Sequence, residues 1–328
     1  MVNRKYATGT AVFSPCSDRF VPVGYHRSLT IEQILEKISK VKKLSGLELS
    51  WPGDFPDDDG KKMKSLTDKY GIEIAMVEID TSTNPEYKFG MLTNPDENVR
   101  KDCMDYIKRG IDEIEKAGCR KVNFWLGQEG YDYPLQADYK KNWDNLRGNL
   151  KEIAIYNKNI KFCIEYKIKE PRTHIHIATV GKALMLALDT KMDNVGVNID
   201  VGHALMAYEN MAESAVILSL YDKLFHLHVN DNFGYWDDDM AVGSVHFWET
   251  LELFYWLDEI GYNGWFSLDL FPYREKWEEI CVQSIENMEI ISEILSKIDK
   301  NEIKEIQDKN DSMKMVKFLR EEVLRKAF

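Results

Sequence analysis

Nowhere does the sequence reach the roughly eighteen consecutive apolar residues of a membrane span, and its first stretch, MVNRKYATGTAVFS, lacks the apolar run of a secretory signal. Blocks of basic residues with interleaved aromatics are missing too. With 43 basic against 55 acidic residues the formal net charge is −12, so small-molecule chemistry is expected and no nucleic acid is expected as partner. Cysteine is scarce. Cys16, Cys103, Cys119, Cys163 and Cys281 are odd in number, widely spaced and form no CxxC, which argues against a disulfide framework or a zinc knuckle. Buried, reduced thiols in a cytoplasmic protein with no membrane attachment are the expectation. No Pro/Gly/Ser-rich linker interrupts residues 1–296, which therefore read as one domain.

What is present alternates. The β-rich runs ATGTAVFS, GLELSW, IEIAMVEI, KVNFWLG, KFCIEYK, VGVNIDVGH, LFHLHVND and GWFSLDLF are separated by longer helix-period segments such as TIEQILEKISKVKKL and HFWETLELFYWLDEIG. Eight such units predict an α/β fold of the (β/α)8 TIM-barrel type, with an eight-stranded open sheet as the alternative. Residues 297–328 are highly charged but carry an apolar stripe at Met315, Phe318, Leu319, Val323 and Leu324. They read as a helical C-terminal extension docked on the barrel or on a neighbouring subunit.

In a barrel the C-terminal strand ends form the mouth at which chemistry occurs. Polar residues converge there. Glu165 and Lys167 alternate with Ile164 and Tyr166 and so share a face. The sixth strand stays apolar until Asp200, after which Gly202 is expected to free the backbone so that His203 turns back toward the axis. The seventh strand offers His226 and His228 on one face, and the eighth sends Asp269 opposite Leu268 and Leu270. Five carboxylates, Glu165, Asp200, Asp237, Asp239 and Asp269, could not all stay ionised in a partly buried pocket, because repulsion and desolvation would load them with protons. Divalent cations remove that difficulty, and an oxygen-rich set with imidazole suits Mn2+, Mg2+ or Co2+. The deeper His226 reads as a hydrogen-bonded core histidine, His174 and His176 as surface or capping groups, and Asp231 and Asp238 as residues that support the ligands from behind or turn the loop, not as direct ligands.

The stretches IEYKIKEPR, NIDVGHALMAYEN, HVNDNFGYWDDD and FWLGQEGYDY resemble the xylose isomerase-like TIM barrels, with the similarity running from about Gly71 to Arg274. In motif the chain is more similar to the xylose and L-rhamnose isomerases of that family than to its ketose 3-epimerases. The resemblance implies one metal held by Glu165, Asp200, His228 and Asp269, with Asp200 bridging to a second held by His203, Asp237 and Asp239. One or two metals per subunit follow, with manganese the first choice. It further implies that Lys167 hydrogen-bonds the carbonyl oxygen of an open sugar, that Trp125 forms an apolar wall, and that the chain assembles as a dimer or tetramer.

One departure stands out. Where xylose isomerase has a ring-opening histidine at the end of the second strand, this chain reads GLELSWPGD, leaving Ser50 or Trp51 there. Trp51 thus joins Trp125 and Lys167 as an expected substrate contact, with His26 as a candidate substitute for the missing base. Lys167, Glu165, Asp269 and His203 are the residues expected at the chemical step. The expected activity is aldose–ketose isomerisation of a monosaccharide or derivative by hydride shift. Three alternatives differ in what they need from these residues. A ketose 3-epimerase would use Glu165 and Asp269 as paired acid and base. A metal-dependent lyase would act on a keto-sugar or its glycoside, and a scaffold or a sugar- or metal-binding subunit would do no chemistry.

Overall fold

The computed structural model describes residues 4–325. Eight parallel strands close into a barrel: β1 (Lys5–Gly9), β2 (Leu44–Trp51), β3 (Glu73–Ile79), β4 (Lys121–Trp125), β5 (Lys161–Glu165), β6 (Val195–Asp200), β7 (Leu224–Val229) and β8 (Trp265–Leu268). Because β1 pairs with both β2 and β8, the ring has no open edge, which removes the open-sheet alternative. Every run expected to be a strand overlaps one, although the first two strands begin two residues earlier, at Lys5 and Leu44. The first is shorter than expected, since Thr10–Phe13 turns as a 3-10 helix that buries Val12 and Phe13.

Around the ring lie helices α1 (Ile31–Ile38), α2 (Gly60–Tyr70), α3 (Glu97–Lys116), α4 (Tyr139–Tyr156), α5 (Val180–Asp189), α6 (Val201–Met206), α7 (Met211–Leu220), α8 (Phe247–Glu259) and α9 (Trp277–Lys297). Short polar side chains start most of them by satisfying N–H groups left free in the first turn. Thr30 and Gln33 form a reciprocal capping box on α1, and Asp96, Asp138 and Asn210 cap α3, α4 and α7. Strand alternation then divides the core. Leu47, Leu49, Val77, Ile79, Val122 and Phe124 are buried in the main apolar core, whereas Glu48, Glu78 and Asn123, on the alternate face, belong to the barrel interior. A register shift in β7 against β6, between Leu224 and His226, lets Phe225 pack with Met76 and Cys163 while His226 and His228 stay inward.

After α9 come α10 (Lys300–Asp308), α11 (Ser312–Phe318) and a π-helical turn over Leu319–Leu324. Phe318 and Val323 are buried, and Met315 and Leu319 line a cavity of about 440 Å³ with Tyr255, Trp256, Leu295 and Ile298. The stripe therefore docks on this chain's own α8 and α9, with Leu324 left exposed. All five cysteines are buried and unpaired, and among the described residues no helix is long and apolar enough to cross a membrane.

Candidate active site

Strands β5 to β8 set their polar side chains next to one another through the barrel register, with Glu165 opposite Asn198, Asp200 opposite His228 and His228 opposite Ser267. Donor atoms of Glu165, Asp200, His228 and Asp269 lie within 4.8 Å of one another. His228 Nδ1 is 3.3 Å from Asp269, 3.4 Å from Glu165 and 3.7 Å from Asp200. The amides of Asn123 and Asn198 donate to Glu165 at 2.6 and 3.1 Å. Asp200, fully buried, doubles as the N-cap of α6, accepting from the His203 N–H at 2.9 Å.

A second set, Asp200, His203 and Asp237, shares Asp200 with the first. His203 Nε2 lies 3.0 Å from Asp237 and its Nδ1 3.4 Å from Glu165. The Lys167 ammonium donates to Asp237 at 2.7 Å and to Glu170 at 2.5 Å, and overlies the Trp125 ring at 5.5 Å. Asp239 stands outside both compact sets and is tied in by Asn230, whose amide donates to Asp239 at 3.0 Å and to both Asp200 oxygens. Gly202 proves to be needed for space. Its φ is ordinary, but a Cβ there would meet Asp237 Oδ1 at 2.7 Å and Asn230 Oδ1 at 2.9 Å. Small size, not backbone freedom, lets the loop close over α6.

Electrostatics divides the cluster. Burial pushes Glu165 up, yet His228 and His203 outweigh it and bring its carboxyl down to about 2. Burial likewise opposes charge on His203, but Asp200 and Asp237 raise it to about 9. His228 is raised, against burial, by Glu48 and Glu165. Asp269 is pushed up by burial and by Asp200 and Glu165, and Asp239 by burial and by Asp237, Asp269 and Asp200. Protons thus neutralise a site too acidic to remain bare. Buried His203 Nδ1, His228 Nδ1 and Asp237 Oδ1 have no hydrogen-bond partner. A divalent cation fits this arrangement, exchanging for those protons and taking the unpartnered atoms, and the carboxylate–imidazole donors suit Mn2+, Mg2+ or Co2+.

The opposite wall carries residues that the sequence reading missed. A cavity of about 110 Å³ is lined by Gly9, Thr10, Glu48, Ser50, Glu78, His228 and Asp269, among others. Asp54 ties its rim together, accepting from Thr10 Oγ1 at 2.6 Å and from the Ser50 N–H at 2.7 Å. Glu78 is pushed up to about 8 by burial and by Glu165 and Asp269. Glu48 binds His226 Nε2 at 2.5 Å and His228 Nε2 at 2.9 Å. The available signal was parity: Glu48 shares a strand face with Ser50, and Glu78 is the only acid inside the apolar AMVEI.

Two expected substrate contacts part company. Trp125 stands at the mouth beside Lys167, whereas Trp51 turns to the helix layer, its ring 4.8 Å from Tyr106 and filling the space that Gly110 leaves in α3. His26 is held by the Pro272 carbonyl at 2.7 Å and packs on Trp277. His174 stacks on Tyr131, and His176 bonds Asn142. Asp231 accepts from the backbone of Val245 and His246 at the start of α8, and Asp238 from Phe233 within the loop.

A closed parallel barrel with an acidic, imidazole-bearing mouth defines the class. Residues 35–291 match the family described as xylose isomerase-like TIM barrel, and the chain belongs to that family. It is 29% identical over 235 residues to a xylose isomerase of Thermus thermophilus, covering 70% of this chain but only 60% of that protein. Among solved structures, a D-tagatose 3-epimerase-like protein is 24% identical with a TM-score of 0.64, over 88% of this chain and 98% of its own. An L-ribulose 3-epimerase is 15% identical with a TM-score of 0.70, over 89% and 96%. The structural likeness is one of fold.

Proposed function

We propose that the protein is a divalent-metal-dependent aldose–ketose isomerase acting on a monosaccharide or close derivative, with hydrogen moving between adjacent carbons as hydride. The observation that carries this reading is the pair of donor sets sharing Asp200, with the Lys167 ammonium 2.7 Å from Asp237. Glu165, Asp200, His228 and Asp269 would hold one cation, and Asp200, His203 and Asp237, joined by Asp239, a second. Bound there, divalent metal would fix neighbouring oxygens of the open-chain sugar and stabilise negative charge on them.

The chain's own groups supply the rest. Lys167 stays charged, because Asp237 and Glu170 outweigh its burial and raise it, so it can donate to a carbonyl oxygen that gains charge. Trp125 beneath that ammonium offers the apolar face along which sugar carbons pack. The proton that must shift between adjacent substrate oxygens can pass through the Lys167 ammonium, which gives one to the oxygen gaining charge and takes one back from its neighbour. Hydride passage inside the substrate asks no side chain to take a proton from carbon. The carboxylates are left free to bind cation, and the walls to align the chain and exclude water.

The test is a panel of free aldoses and ketoses assayed with Mn2+, Mg2+ or Co2+. Turnover that a chelator abolishes and Mn2+ restores is expected, with product carbons free of deuterium when the reaction runs in D2O. Stoichiometric deuterium on carbon would overturn the hydride route and favour epimerisation with Glu165 and Asp269 as paired acid and base.

A further inference from the structure

Behind the proposed metal centre, four polar side chains from three strands form a line that the chemistry above does not use. Lys121 on β4 sits 3.0 Å from His226 Nδ1, His226 Nε2 lies 2.5 Å from one oxygen of Glu48, and the other oxygen lies 2.9 Å from His228 Nε2. His226 is fully buried, and Glu48 and His228 are nearly so. Donor chemistry fixes the direction of every proton. An ammonium only donates, so His226 Nδ1 must accept and its Nε2 must carry hydrogen toward Glu48. Ionised Glu48 only accepts, so His228 also presents Nε2–H to it. In the neutral imidazole that a cation would bind, the lone pair of His228 is thereby left on Nδ1, the atom that faces Glu165, Asp200 and Asp269.

We propose that Glu48 is a positioning residue that locks His228 in its cation-binding tautomer, and that His226 and Lys121 hold Glu48 to that task. Carboxylate groups commonly orient metal-ligating imidazoles in this way. The inference rests on the metal site proposed above. Glu48, His226 and His228 also lie close enough to form a metal-binding group of their own. The ammonium of Lys121, 3.0 Å from His226, opposes a cation there and makes the line a support rather than a separate site.

The experiment turns on what an amide does to the line. In Glu48→Gln the side-chain NH2 must face one of two imidazole N–H groups. His226 cannot reverse, because Lys121 already donates to its other nitrogen, so the amide faces His228 and drives its proton onto Nδ1. Glu48→Ala removes the acceptor without forcing the wrong tautomer, although it opens the larger cavity. Calorimetric Mn2+ titration should find E48Q about 10- to 100-fold weaker than the parent. E48A should lie between the two, and the visible absorption of Co2+-loaded E48Q should change. Lys121→Met, at the half-exposed end of the line, should weaken Mn2+ by a few-fold and provides the test should both Glu48 variants fail to fold. Parent-like affinity in a folded E48Q or in K121M, or losses that follow melting temperature with alanine worse on both, would overturn the proposal. Asp200→Asn serves as the control. Unchanged metal content there sinks the metal site itself, whereas loss in D200N with retention in E48Q sinks only the role of Glu48.

Discussion

Glu48 and Glu78 stand on neighbouring strands of one barrel wall, both turned inward and both lining the same small cavity, yet their charges are driven in opposite directions. Burial opposes ionisation of each. Glu48 meets two imidazoles and is held low, whereas Glu78 meets Glu165 and Asp269, has only the Asn123 amide at 3.4 Å, and is pushed up to about 8. Among the described residues, no ion pair joins Glu78 to a cation. The partner, not the depth, decides which carboxyl is an anion. One wall thus holds a carboxylate kept charged by imidazoles beside a carboxyl kept neutral by its acidic neighbours.

The largest test of that division removes acid from the loop after β7. Asp237→Asn with Asp239→Asn leaves Glu165, Asp200, His228 and Asp269 untouched. The first cation should be retained and substrate affinity should stay within a few-fold of the parent, while turnover falls by about 100-fold or more, as for other lost supports of a metal site. A double variant as active as the parent would show that the first donor set works alone and would dissolve the second.

Period and spacing carried the barrel. Eight alternating runs could be counted, and each overlaps a strand, because inward and outward faces demand different residues two apart. The half of the site on β5 to β8 was legible for the same reason, its acids and imidazoles ending otherwise apolar strands just before loops. Glu48 and Glu78 were not legible. Each lies inside an apolar run, where a lone charge reads as solvent-facing until the ring closes and decides which face is inside. The roles of Gly202 and Asn230 were equally hidden, since both arise from contacts between segments about thirty residues apart. Trp51 was taken for a mouth residue by position alone, although strand parity with Leu47 and Leu49 points it to the helices.

A middle-sized effect separates the two glutamates by pH in the chelated protein. The folded pKa of Glu78, about 8, exceeds its unfolded value near 4.5, so its protonated form favours folding fully below that lower value. The contribution is lost as pH rises toward 8. Glu48 runs the other way, its contribution present above about 4.5 and lost as pH falls. Glu78→Gln keeps the neutral shape at every pH. Between about pH 5 and 8 the parent should lose on the order of 3 kcal/mol relative to E78Q, seen as a falling difference in melting temperature. Parallel melting curves across that range would mean that Glu78 is already compensated and that the two glutamates are alike.

The smallest effect compares two tryptophans at the ends of inward-facing and outward-facing positions. Trp125, half-buried at the mouth, lies under the Lys167 ammonium, while Trp51 is packed on Tyr106 with its indole N–H buried and unpaired. Trp51→Phe removes part of a core ring, which costs stability, but it also removes a donor that has no acceptor, which returns part of that cost. The two nearly offset, leaving a loss of about 1 kcal/mol or less in melting experiments and no reason for KM to move. Trp125→Phe deletes contact area where the sugar is proposed to pack, so KM should rise several-fold with melting temperature unchanged. A rise in KM for W51F, with none for W125F, would mean that the end of β2 turns into the mouth after all, and the parity that separates cavity from core would have to be redrawn there.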